Sequence, residues 1–157
     1  MAGLTVQRWS VRHAGGLEKI YHFCSQLMIK LYPLVNRLGF ARLERPVAFV
    51  EKHIKGFLFD CQMCGQCELS RTGMSCSMRC PKNIRNGPCG GVRANGHCEV
   101  NADMPCVWVD AWTGSQLMAD KKAIDHVLPA VDRGYKNSSA WLRWMRQQNG
   151  RSEVFKK

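Results

Sequence analysis

Eight of the nine cysteines in this chain stand between Cys61 and Cys106. No other feature limits the fold so sharply. The same stretch is punctuated by Gly65, Gly73, Pro81, Gly87, Pro88, Gly90, Gly91, Gly96 and Pro105, and it carries neither a helical period nor strand alternation. A segment of that kind buries too little apolar surface to order itself through a core. It needs cross-links, either disulfides or thiolate-bound metal. Residues Met1–Arg8 lack the basic-then-apolar order of a secretory leader, and no apolar run approaches the ~18 residues of a membrane span. The chain therefore reads as soluble and cytoplasmic. In that reducing compartment, close cysteines point to metal rather than to disulfides.

The spacing is Cys61-x2-Cys64-x2-Cys67-x8-Cys76-x3-Cys80-Pro81, followed by Cys89, Cys98 and Cys106. Three cysteines at intervals of three can wrap one corner of a cubane, and a distant cysteine followed by proline completes a ferredoxin-style pattern. Zinc prefers paired ligands, so the triplet suits it less well. The later cysteines could still build zinc knuckles, with His97 beside Cys98 as a further donor. Eight thiols make two tetrads, so one or two 4Fe-4S clusters, zinc alone, or one centre of each kind all remain open. Glycines beside the cysteines let backbone amides approach a cluster sulfur closely.

The remaining chain reads as helical. Leu17, Tyr21, Cys24, Met28, Leu31, Val35 and Leu38 alternate steps of four and three, and Ile20, Leu27 and Leu34 widen that face. Pro33 is expected to kink or divide this helix and Gly39 to end it. Cys24 reads as a packed thiol of the apolar face, and His22 and His53 as surface. A second helix is expected from Pro46, with Val47, Val50, Ile54 and Leu58 on its inner side. A weak helix is expected over about Ser115–Val127, and a last one over Trp141–Gln148 after a cap at Ser138 or Ser139, with a frayed tail from Gly150. The expected class is a small α plus irregular, metal-stabilised domain: N-terminal helices, a loop-rich cysteine region and short C-terminal helices. Its divisions are an arm and amphipathic helix over 1–45, a cysteine-rich domain over 46–115, and a helical extension over 116–157.

At 157 residues the chain is too short for an eight-fold barrel of roughly 250 residues, and it has no Rossmann glycine fingerprint. The formal net charge is +11, with the excess of Lys and Arg lying outside the cysteine tract. A zinc-stabilised nucleic-acid module is the alternative this charge raises, but no recognition helix lies between ligand pairs.

Several strings carry a resemblance: Phe57-Leu-Phe-Asp-Cys61-Gln-Met-Cys64-Gly-Gln-Cys67, Cys80-Pro81-Lys82, Ile84-Arg-Asn-Gly-Pro-Cys89-Gly-Gly91, Gly96-His-Cys98-Glu-Val100 and Cys106-Val-Trp108. Together, over roughly residues 46–115, they resemble the C-terminal domain family of methylenetetrahydrofolate reductase, which also occurs as a small cysteine-rich subunit of the MetV type. The resemblance implies Cys61, Cys64, Cys67, Cys76, Cys80, Cys89, Cys98 and Cys106 as metal ligands. It implies an iron–sulfur or zinc accessory subunit, not catalytic alone. It also implies a partner, a flavin-containing barrel subunit that reduces 5,10-methylenetetrahydrofolate to 5-methyltetrahydrofolate in one-carbon metabolism. Flavin is expected on that partner and not on this chain. Ser77 departs from the pattern, which would place proline after Cys76.

Overall fold

The structure is a computed structural model that describes residues 2–154, with the side chains of 6–149. Among these residues it has five α-helices and no strand, in agreement with the expected helical, loop-rich class. Helices α1 (Ala2–Arg12), α2 (Ala14–Leu38) and α3 (Phe40–Phe59) follow one another with only His13 and Gly39 between them. The cysteine tract then runs from Asp60 to Cys106, broken by one 3-10 turn at Ser77–Arg79 and by isolated bridges Val92–Cys98 and His97–Pro105. Helix α4 (Val107–Ser115), two further 3-10 turns (Lys121–Asp125 and Arg133–Tyr135) and α5 (Ala140–Val154) complete the chain.

Gly39 ends α2 as expected, at a φ of 88° that few other residues adopt. Several boundaries differ from expectation. The expected N-terminal arm is helix α1, whose buried residues Gln7, Ser10 and Val11 form no apolar period. Ser10 is small and fully buried, and its hydroxyl donates to the Leu58 carbonyl at 2.8 Å, which draws α1 against α3. Pro33 does not divide α2, and Pro46 is the seventh residue of α3, not its start. Both prolines, and the residues four positions before them, are exposed, so a carbonyl left without its helical donor can be solvated. The helix expected over about 115–127 does not form: that stretch holds only the 3-10 turn Lys121–Asp125, and α4, which was not expected, precedes it. The last helix begins as expected and continues to Val154, while residues 155–157 of the expected frayed tail lie outside the described residues.

The main core is made by Ala14, Phe59, Leu69, Met74 and Met118, with Leu17, Tyr21, Leu58, Cys67 and Cys76 packed against it. Two cysteines of the tract thus stand on the wall of the core, where α2 and α3 meet the loops. A second cluster joins Cys106, Trp108 and Ala111 to Ile84, Val92 and Ile124. The two clusters are joined where the loop at Gly73 crosses α4 at Gly114. A Cβ on Gly114 would strike the Gly73 carbonyl, and one on Gly73, which has φ 57°, would strike the Ala111 carbonyl. Backbone cannot yield as a side-chain tip does. Gly114→Ala should therefore lower stability by about 1–3 kcal/mol or more in urea denaturation. Parental stability would show that the crossing has room to spare.

Candidate metal centre

The first cysteine follows directly from the end of α3. Asp60 takes the left-handed conformation (φ 50°), its N–H bonds to the Gly56 carbonyl, and the Cys61 N–H reaches the Lys55 carbonyl at 3.3 Å. Asp60 is also tied to the turn after Cys76, through Arg79 Nε at 3.1 Å. Positive φ angles at Met63 (48°) and Gly65 (70°) then curl the chain so that Cys61, Cys64 and Cys67 ride one tight loop. A Cβ at Gly65 would collide with the Tyr135 carbonyl and the Ser138 hydroxyl. The later chain clasps this loop from outside. Asn137 N–H donates to the Met63 carbonyl at 2.8 Å, the Gln66 amide to the Asp132 carbonyl at 2.9 Å, and Arg143 to the Gly65 carbonyl at 3.5 Å.

Within that loop the sulfurs draw amide donors. Cys61 Sγ accepts the Met63 N–H at 3.4 Å. Cys67 accepts from Leu69, and Cys76 from Gln62 and Met78. Cys61 and Cys76 are hydrogen-bonded to each other. That bond, with the amides and nearby Arg79, outweighs burial and brings the Cys76 thiol down to about 6, whereas Cys61, as the donor, is pushed up. Burial pushes the Cys67 thiol up as well. In the reduced, metal-free chain Cys76 should hence be a thiolate at pH 7 and regain its proton below about pH 6. Thiolate absorbance near 240 nm should fall through that pH and the component should vanish in Cys76→Ser; a midpoint near 9 would contradict the pairing.

Beneath Cys67 lies a group that the hydrophobic period did not disclose. Glu51 and Lys55 are one helical turn apart on α3, 1% and 3% exposed, with Lys55 Nζ donating to Glu51 at 2.6 Å. Burial works against the Lys55 ammonium, but the Cys67 sulfur and the Glu51 carboxylate outweigh it and push its pKa up. Tyr21 is raised to about 12, chiefly by burial and next by Cys67. The inner side of α3 thus carries Ala48, Glu51, Lys55 and Phe59, while Val50 and Ile54, expected inside, are exposed. The spacing of Glu51 and Lys55 at i and i+4 in line with Ala48 and Phe59 was the available signal.

The other sulfurs are distributed more widely. Cys64 points its thiol at the Gln66 carbonyl at 3.6 Å. Cys80 is buried after the 3-10 turn, which Ser77 opens without disruption. Cys98 and Cys106 are buried in a lobe closed by the bonds Cys98 N–H to Met104 and Cys106 N–H to Gly96. Amides of Asn101 and Val100 lower the Cys98 thiol. Cys89 is exposed, with Glu99 its polar neighbour at 3.9 Å. His97 Nδ1 lies against the Ala102 carbonyl. Among the described residues no three His, Cys, Asp or Glu side chains are gathered into a group that could hold a metal ion. Cys24, expected to be packed, is exposed on α2.

The donor chemistry nevertheless fits a metal. Four sulfurs, those of Cys61, Cys67, Cys76 and Cys98, attract backbone N–H donors, which is what stabilises thiolate ligands. The cations flanking the tract are occupied within the chain: Arg71 and Arg85 on Glu68, Arg79 on Asp60, Lys82 on Glu99, and Arg93 on the carbonyls of Cys98 and Glu99. The aromatic face of α5 also turns to its own body, with Leu142 and Met145 buried and Lys55 lying 5.0 Å from the Trp141 ring.

No helix among the described residues is long and apolar enough to cross a membrane. No curated protein and no solved structure matches the chain. Residues 40–134 match the family described as methylene-tetrahydrofolate reductase C terminal, a span wider at both ends than the motifs alone mark out and longer than half the chain. On that match, and with the cysteine loop it encloses, the chain belongs to the methylene-tetrahydrofolate reductase C-terminal family.

Proposed function

We propose that this chain is the metal-carrying accessory subunit of a methylenetetrahydrofolate reductase, partnering a flavin-containing barrel subunit that turns 5,10-methylenetetrahydrofolate into 5-methyltetrahydrofolate. The observation that supports it most is the convergence of amide donors on the sulfurs of Cys61, Cys67 and Cys76, inside the stretch that defines the family. The ligands proposed are Cys61, Cys64, Cys67 and, in the place the spacing gave to Cys80, the Cys76 that bonds to Cys61, with Cys80, Cys89, Cys98 and Cys106 available for a second centre. A bound 4Fe-4S cluster would supply one-electron transfer, and zinc would supply a fastening for the loops. The chain's own part is to hold the thiolates: amides of Gln62, Met63, Leu69 and Met78 face the sulfurs, and the Lys55 ammonium sets a fixed positive charge beside Cys67.

The nucleic-acid alternative draws little support from the cysteine tract, because its cations are already paired within the chain. Anaerobic isolation with iron, zinc and sulfide analysis and a visible spectrum decides between the centres. The expected result is metal in stoichiometric amount, with broad brown absorbance for a cluster and none for zinc. Freshly isolated native protein free of both metals would end the proposal.

A further inference from the structure

We propose that the outward side of α2 is a docking seam for an acidic amphipathic helix of the partner protein, a reading that rests on the subunit role above and extends it. The helix has two candidate faces and buries the less apolar one. Ala14, Glu18 and Ser25 are buried, and Tyr21, Met28 and Val35 are half-buried. The alternative row, Ile20, Cys24, Leu27, Leu31, Leu34 and Leu38, steps by four and three over about two and a half heptads, the a and d spacing of a coiled-coil seam. From Ile20 to Leu38 this row stays open, with Ile20 at 60%, Leu27 at 47%, Leu34 at 53% and Leu38 at 50% exposure. Phe23, one position before Cys24, is 71% exposed and extends it. At about 1.5 Å per residue the seam is roughly 30 Å long, more than a lone soluble chain ordinarily leaves uncovered.

Charge selects the occupant. Lys30 and Arg37 stand one position before Leu31 and Leu38, at the flank where coiled coils place pairing charges, and Lys19 lies on the same side. The only carboxylate of α2, Glu18, is buried and accepts the Ala119 N–H at 2.8 Å. Those of α3 are also turned to the chain itself: Glu44 accepts from Ser139 N–H at 2.6 Å, and Glu51 holds Lys55 and Ser139. The open side of α2 is thus apolar and basic with no acid of its own. A second copy would set like charges against each other, whereas a helix carrying Leu or Ile in its own seam and Glu at the flanks would match both rows. The row is narrow and two residues wide, which suits a helix better than the broad face a bilayer takes.

The test uses the full chain and the flavin-containing reductase subunit, co-expressed and studied by sedimentation and calorimetry. Leu27→Glu/Leu34→Glu should weaken the complex by ~100-fold or more, and Lys30→Glu/Arg37→Glu by ~10-fold at low salt, with metal content and melting temperature unchanged in both. The charge variant touches no apolar contact, so it keeps the test valid if the leucine variant folds poorly. A complex that survives both variants overturns the seam while leaving the subunit role intact. Absence of any complex with the parent chain overturns the subunit role itself, and the seam with it. Self-association through the same leucines, or stronger binding to phosphatidylglycerol vesicles than to the reductase subunit, also overturns the seam.

Discussion

Glu51→Ala should lower the stability of this chain by about 3–5 kcal/mol, which for a chain of this size lowers the melting temperature by roughly 6–20 °C. Glu51 is 1% exposed and serves three groups: the Lys55 ammonium at 2.6 Å, the Ser139 hydroxyl at 2.7 Å and the Trp141 N–H at 3.3 Å. Ser139 Oγ in turn accepts the Leu142 N–H at 3.2 Å, so the carboxylate also fixes the start of α5. Alanine would leave a buried ammonium with its main partner gone and an undercapped helix. Glu51→Gln keeps an acceptor for Ser139 and Trp141 but loses the charge, so its deficit should be intermediate. Thermal and urea unfolding measure both. An alanine variant within 1 kcal/mol of the parent would show that Lys55 relaxes into solvent and that the pair does not organise this region.

On the proposed function, Cys76→Ala should have the larger effect still. Structural metal sites contribute on the order of 10 kcal/mol to the segments they order. Cys76 is hydrogen-bonded to Cys61 and packs on the main core. Its loss should reduce bound metal to background and release residues 60–106 to rapid amide exchange, with the helical circular-dichroism signal of α1–α3 largely retained. That asymmetry is the informative part. Helices hold their own backbone bonds, whereas the backbone of the tract is held by turns, two isolated bridges and bonds to neighbouring segments. Unchanged metal content in the variant would remove Cys76 from the ligand set.

Much of this was legible in the residues and some was not, for reasons that particular positions make clear. The loop character of the tract followed from its glycines, prolines and missing period, and Gly39 marked the end of α2 correctly. The inner side of α2 was read only in part, since Leu17 and Tyr21 do pack on the core and Met28 and Val35 are half-buried, whereas Cys24, Leu31 and Leu38 are exposed; an apolar period identifies a face without saying what covers it. Glu18, anchored on the Ala119 N–H, turned the helix so that the richer row faced out. Helix α1 was invisible for a related reason, since a serine bonded to a carbonyl and a buried glutamine join it to the body, and neither leaves an apolar pattern. Helix α4 is nine residues long and its glycine exists for the crossing with Gly73, so the very residue that argues against a helix is what seats it. The proposed ligands were those the family resemblance implied; the Glu51–Lys55 pair below them is tertiary and required the fold.

The clasp around the first three cysteines sets an order of events in synthesis. Its outer bonds come from Asp132, Asn137 and Arg143, residues that leave the ribosome long after Cys61, Cys64 and Cys67. Until they arrive the loop lacks its outer clasp, although the amide donors of Gln62, Met63, Leu69 and Met78 are already present. A chain truncated ahead of Asp132 would lack these bonds, and its 61–67 loop should exchange amide protons faster than in the parent.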